Sequence, residues 1–148
     1  MSPLFGKLAD KYSFSSSMTI AFVCAAVGFL CVAFTNPETR WLYAAYITMY
    51  SFSMAGINSG VINLIYDYVS PSDRAVAMGT KNALGGIAAF FVAVFAGIIL
   101  SAIQGAGGIV LFGITLYAQQ FLAIISFVIT LILIVYMRLV IAPIKKVD

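Results

Sequence analysis

Few side chains of this chain are suited to covalent chemistry. Histidine, the commonest general base near neutral pH and the commonest metal ligand, does not occur in the sequence. Cys24 and Cys31 are the only cysteines. In a helix their spacing separates them by about 10 Å, whereas a disulfide needs alpha carbons within about 7 Å. We therefore expect both to be small packing residues, and we expect no catalytic residue, no metal and no cofactor.

Three polar side chains inside a long apolar run are the better candidates for binding. Asn58, Ser59 and Asn63 interrupt that run. Asn58 and Asn63 differ by about 140° around a helix, so they cannot both face one ligand, whereas Asn58 and Ser59 can share a sector. Amides in an apolar surrounding need partners on neighbouring helices or along a water-filled path. Two interpretations follow for these residues, interhelical hydrogen bonds or a substrate path.

Four apolar stretches must position these side chains. Hydrophobic residues make up 63% of the chain and charged residues 9%, whereas a soluble domain carries roughly a quarter charged residues. Each stretch reaches or approaches the ~20 residues with which a helix crosses a bilayer. They are continuously apolar rather than alternating, which excludes a barrel. The sequence therefore predicts an all-α, polytopic membrane protein with four transmembrane helices, at about residues 17–35, 41–66, 76–103 and 117–141.

The basic residues predict the orientation of these helices. Of the eight Lys and Arg residues, all except Arg40 lie at or near one side of the four stretches. The positive-inside rule assigns that side to the cytoplasm and, after four crossings, both termini with it. We expect an integral, multi-pass protein of the cell membrane, with the lipid bilayer as its surroundings. The charges are scattered along short loops, which argues against a nucleic-acid partner.

Small residues predict which helices pack closely. They recur at every fourth position of the third stretch and form a GxxxG pair in the second, a pattern that lets another backbone approach. The fourth stretch is dominated by Leu, Ile, Val and Phe. We therefore expect the second and third helices to be central and the fourth to face lipid. The expected packing residues are Gly56, Gly60, Gly85, Ala89, Ala93 and Gly97.

The connections and interfaces are also predictable. Asn36 to Thr39 should form a tight outer turn, and Ser72 or Asp73 should cap the third helix. The glycine-rich residues 104–113 are expected to be a flexible loop, with Ile109 to Phe112 close to the interface. Lys81 should snorkel back to the inner interface. Aromatic residues lie in the first half of the second stretch, namely Trp41, Tyr43, Tyr46 and Tyr50. We interpret them as part of an interfacial belt and as packing residues, and the alternative is that the tyrosines stack on a ligand.

Residues 6–11, Gly-Lys-Leu-Ala-Asp-Lys, precede the first stretch on the cytoplasmic side. This string resembles the loop signature of the major facilitator superfamily, Gly-x-Leu-Ala-Asp-Arg followed by Gly-Arg-Arg/Lys. Gly6 and Asp10 match, and Lys11 keeps the charge. The trailing part of the signature is missing at residues 13–15, a departure that fits the looser copy in the second half of the family fold.

The resemblance extends along nearly the whole chain. Residues 58–63, the connection 70–74 and the positions Gly79 and Asn82 look like the tenth and eleventh helices of that family, and residues 117–120 open a helix similar to its twelfth. The resemblance implies a partial bundle of the superfamily type, namely the last four to five of twelve helices. It implies a secondary active transporter that moves a small solute by alternating access and is not an enzyme. The missing N-terminal helices would be its partners.

The resemblance also implies a gate at the inner side, because the signature loop holds the inward side shut in that family. Our hypothesis is that Lys11 pairs with Asp67, or Asp10 with Arg74, in one conformation. The alternative is that these are solvated loop charges that obey the positive-inside rule.

Two other functions remain open. One is a stand-alone four-span protein that oligomerises through the face from Gly85 to Gly97, as small multidrug exporters do, although the membrane-embedded carboxylate usual in those proteins does not occur here. The other is a non-transporting membrane subunit or gene remnant.

Overall fold

A computed structural model describes residues 14–36, 38–111 and 114–143. Four long helices dominate the fold, and a short antiparallel hairpin joins the last two. The helices are α1 (Phe14–Ala33), α2 (Trp41–Tyr68), α3 (Arg74–Gly105) and α4 (Ala118–Tyr136), and a π-helical turn (Met137–Ile141) continues α4. The hairpin consists of β1 (Ile109–Leu111) and β2 (Ile114–Leu116). The predicted fold class, a helical polytopic membrane protein, is confirmed.

Among the described residues, three helices are long and apolar enough to cross a membrane. They are Phe14–Ala33, Arg74–Gly105 and Ala118–Ile141. The 28 residues of α2 would span about 42 Å at 1.5 Å per residue. Its Asn, Ser, Gly and Tyr residues lower its hydropathy, so its crossing stays a prediction.

The core of the bundle lies around α1, which packs against both α2 and α4. Small residues make this approach close, since Ala21 is fully buried and Ala25 and Ala26 are 5% exposed. On α2, the buried residues are Ser53, Gly56 and Gly60. The fit is tightest at Gly60, where a Cβ would overlap the side chain of Met18.

The expectation that the third helix is central is wrong for the described residues, whereas the second helix packs closely against α1. Most residues of α3 are exposed, and Ile103 is its only buried residue in the structure. No described atom lies within 4 Å of a Cβ built on Gly85 or Gly97. A small-residue stripe indicates only that a backbone can approach, and here the stripe in contact with α2 belongs to α1.

The fourth helix is also less peripheral than expected. Its residues Ala118, Ala123 and Thr130 are buried, because α4 packs along α1. The side chain of Gln120, at the start of α4, stabilises this contact by hydrogen bonds. Its Nε2 donates to the carbonyl of Thr35 at 2.7 Å, and its Oε1 accepts from the Tyr117 N–H at 3.0 Å.

The connection before α2 and the connection before α4 contain one expected and one unexpected feature. The Asn36 side-chain oxygen accepts the N–H groups of Glu38 and Thr39 at 3.1 and 2.9 Å, which forms the expected tight turn. By contrast, β1 lies inside the predicted flexible loop, residues 104–113, and pairs with β2, which follows that loop directly. Gly107 and Gly108 lead into β1 with φ of 73° and 117°, a region that L side chains rarely adopt. The strands were missed because each has only three residues.

Candidate functional site

The polar residues of α2 lie on different faces of the helix. Gly56 and Gly60 face α1, and the helical period places Asn63 within about 20° of the direction of Gly56. Asn58 lies on the opposite, exposed face together with Ser51 and outside the contact with α1. The structure therefore separates Asn58 from Asn63, in agreement with their helical spacing.

Ser59 is satisfied within its own helix. Its hydroxyl donates to the carbonyls of Ala55 and Gly56 at 3.0 and 3.1 Å, the back-bonding typical of a serine inside a helix. It is half-buried, whereas Asn58 is exposed. Ser59 consequently has less capacity than Asn58 to contact a ligand.

The side-chain amides of Asn58 and Asn63 form no hydrogen bond within the part of the chain that the structure describes. The described parts of α1, α3 and α4 thus do not supply the partners that the interhelical interpretation requires. Since an unsatisfied amide is costly in an apolar surrounding, these groups need further helices or a water-filled path.

Arg74 connects the end of α2 with the beginning of α3. Its Nη2 donates to the carbonyl of Tyr66 at 2.9 Å and its Nε to that of Val69 at 3.3 Å. The guanidinium carbon lies 4.8 Å from the centre of the Tyr66 ring. A cation at a helix C-terminus satisfies orphan carbonyls and interacts favourably with the helix dipole. This role was not foreseen, although an arginine shortly after the end of a helix is a signal for it.

The N-terminus of α3 differs from the prediction. Asp73 occupies the N-cap position, but its side chain does not bond to the helix. It accepts instead from the Ser70 hydroxyl at 2.6 Å, and Ser70 also lies 2.9 Å from the Ser72 hydroxyl. These bonds order the short turn between α2 and α3, so they fix where Arg74 begins its helix.

The proposed gate is only partly within the described residues. Gly6, Asp10 and Lys11 lie outside them, so both pairings, of Lys11 with Asp67 and of Asp10 with Arg74, stay predictions. Asp67 is half-buried in the last turn of α2, one residue after Tyr66.

An aromatic cluster fills the outer end of the α1–α2 contact. Phe29 lies 6.1 Å from the rings of both Tyr46 and Tyr50, and Tyr43 lies 5.6 Å from Tyr46. These centroid distances are those of packed aromatic pairs. A cavity of about 210 Å³ adjoins the cluster, and Gln119 of α4 contributes to its wall. Sequence reasoning did not find Phe29, because it lies on a different helix.

Comparison with protein-family models matches residues 1–147 to the Major Facilitator Superfamily. The chain therefore belongs to the major facilitator superfamily, whose members act in lipid bilayers as transporters of small solutes. Neither the curated proteins nor the solved structures yield a match.

Proposed function

We propose that this chain is the C-terminal part of a secondary active transporter, about the last four to five of twelve helices. It would move a small solute by alternating access, as two halves rock around a central site. The single observation that carries the proposal is the family match along residues 1–147. In this proposal the chain is a permease component and not an enzyme.

The surface of α3 supports a contact with further helices of the same transporter. Its small residues Gly85, Ala89, Ala93 and Gly97 are exposed, and the neighbouring Phe90 is 65% exposed. Small residues at a helix surface allow close packing in a membrane, where the hydrophobic effect between helices is weak. We assign this face to the missing N-terminal helices.

The exposed face of α2 is the proposed wall of the solute path. Asn58 is the amide on that face, and Ser51 lies on the same side two turns earlier. Asn63 and Ser59 are also candidates for lining this path, at its edge.

In the proposed inner gate, Lys11 pairs with Asp67, or Asp10 with Arg74, when the inward side is shut. Both termini then lie in the cytoplasm.

Crosslinking tests which surface α3 contacts. A cysteine at Ala93, with Cys24 and Cys31 replaced by alanine, should crosslink to N-terminal transporter helices supplied as a second polypeptide. The matched control is a cysteine at Ala21, which is buried against neighbouring helices and should not react. Reading the coding sequence upstream of Met1 tests the same proposal, since eight further spans in one open frame are expected.

The exposed α3 face also fits the second candidate, a four-span protein that oligomerises through Gly85 to Gly97. In that case the Ala93 cysteine would crosslink to a second copy of this chain, and the upstream frame would be closed. That pair of results would overturn the transporter-fragment proposal.

A further inference from the structure

A groove at the inner ends of α2 and α3 has a volume of about 350 Å³, within the roughly 300–1,000 Å³ range of ligand sites. Its described lining residues are apolar except Tyr68 and Lys81, whose side chains each end in one polar group. Among the described residues, no carboxylate belongs to this lining, and Asp67 lies in the neighbouring part of α2 outside it. The lining includes Leu64, Ile65, Tyr68, Ala77, Lys81 and Ile141.

With the end of α2 on the inner side, as the positive-inside rule predicts, the groove runs from the inner interface into the apolar layer. Arg74 begins α3 at the interface, and Lys81 lies seven residues later, about 10 Å along the helix axis at 1.5 Å per residue. Seven residues are close to two full turns, so both cations lie on the same side of α3. Ala77, between them, lines the groove. The long stem of Lys81 can therefore follow the groove and return its ammonium towards the level of Arg74.

We propose that this groove binds an anionic phospholipid of the inner leaflet, with one acyl chain along Leu64 and Ile65 and the phosphate at Lys81. The apolar wall suits a hydrocarbon chain, and Lys81 provides the complementary charge. Arg74, which donates to the carbonyl of the lining residue Val69, adds positive charge at the interfacial end. Anionic lipids of the cytoplasmic leaflet are attracted to basic residues at this depth.

Two other occupants fit the groove less well. A hydrophilic solute would lose its hydration against this wall and find few polar partners. A further helix laid across the groove would bury Lys81, which then requires a carboxylate that the lining does not provide. An anionic lipid satisfies both the apolar wall and the charge.

Fluorescence quenching in the full chain tests the proposal. Trp41→Phe removes the single tryptophan, and Tyr68→Trp places a reporter in the groove. The protein is reconstituted in nanodiscs with phosphatidylglycerol or phosphatidylcholine brominated on the acyl chains. We expect the anionic lipid to quench with a relative binding constant roughly fivefold higher. In Lys81→Gln the ratio of the two binding constants should fall to about one, which means no preference. In Lys81→Arg the preference should persist.

The matched control is Arg138→Gln, which removes an exposed inner basic residue from a different groove, beside Ser15 and Thr19. It should keep the preference. An equal loss in Arg138→Gln would mean that general surface charge attracts the lipid. Equal quenching by both lipids in the reporter protein, or no quenching by either, would also overturn the proposal.

Discussion

At the scale of single residues, glycines of similar sequence context have different neighbours. Gly60 of α2 lies against Met18, whose Sδ would be 2.8 Å from an added Cβ. Gly85 of α3 has no described atom within 4 Å of that position. Both were predicted to be packing residues, and the sequence pattern around them does not distinguish them. The difference depends on which helix lies opposite.

Gly60→Ala should therefore lower the free energy of unfolding of this chain by about 1–3 kcal/mol, because the new methyl group overpacks the contact with Met18. The measurement is unfolding in a denaturing detergent, followed by circular dichroism. Gly85→Ala is the control and should leave the chain as stable or about 0.5–1 kcal/mol more stable, since it removes a helix-interior glycine in open space. Equal destabilisation by both would contradict the assignment of the α1–α2 contact.

At the scale of the elements, individual polar side chains fix the ends of the helices. Arg74 bonds to the last carbonyls of α2, and Gln120 bonds to the carbonyl of Thr35 after α1. Each contact joins two helices where the chain leaves the apolar layer and unsatisfied carbonyls need donors. Their spacing in sequence is very different. Arg74 lies a few residues beyond α2 and could be inferred locally, whereas the Gln120–Thr35 bond joins distant segments and could not.

Arg74→Ala should destabilise the chain by about 1–2 kcal/mol, because two carbonyls at the end of α2 lose their donor and the Tyr66 ring loses its cation. Arg74→Lys should recover only part of the loss, since an ammonium cannot reproduce the planar fork of a guanidinium. Detergent unfolding measures both variants. Full recovery in Arg74→Lys would show that charge alone matters at this position.

Gln120→Glu should cost about 1–3 kcal/mol, since it replaces the donor to the Thr35 carbonyl with a second acceptor. Gln119→Glu is the matched control, because Gln119 is exposed, lies next to Gln120, and its substitution adds the same charge. Proteolysis of the outer connections should quicken in Gln120→Glu alone. Similar effects of both substitutions would argue that the added charge, and not the lost bond, is responsible.

At the scale of the whole molecule, the orientation of the bundle depends on whether α2 crosses the membrane. The other three long helices meet the length and hydropathy of a span, whereas α2 has the length but more polar residues. If it crosses, Arg40 and Ser72 lie on opposite sides of the bilayer. If it does not, the positive-inside argument for the following helices is reversed.

Cysteine labelling in intact cells decides this point. With Cys24 and Cys31 replaced by alanine, a cysteine at Arg40 should react with an impermeant maleimide from outside. A cysteine at Ser72 should react only after the cells are permeabilised. Both positions are exposed in the structure, so differences in burial do not complicate the comparison. Labelling of both from the same side would contradict a fourth crossing.

Composition and spacing are enough to predict that this protein lies in a membrane and that its elements are helices. An apolar run of about 20 residues has to form a helix in lipid, since backbone groups can be satisfied only within the segment. The division of Asn58 and Asn63 between two faces also followed from the helical period alone. These properties are local, and composition and spacing are sufficient to predict them.

Which helices are neighbours could be seen only from the three-dimensional arrangement. It placed α1 in the middle and α3 at the edge, because ridges and small residues pack according to a partner that lies far away in sequence. It also brought Gln120 to Thr35 and Phe29 to the tyrosines of α2. Such contacts depend on the mutual position of helices, which no single segment of the chain encodes.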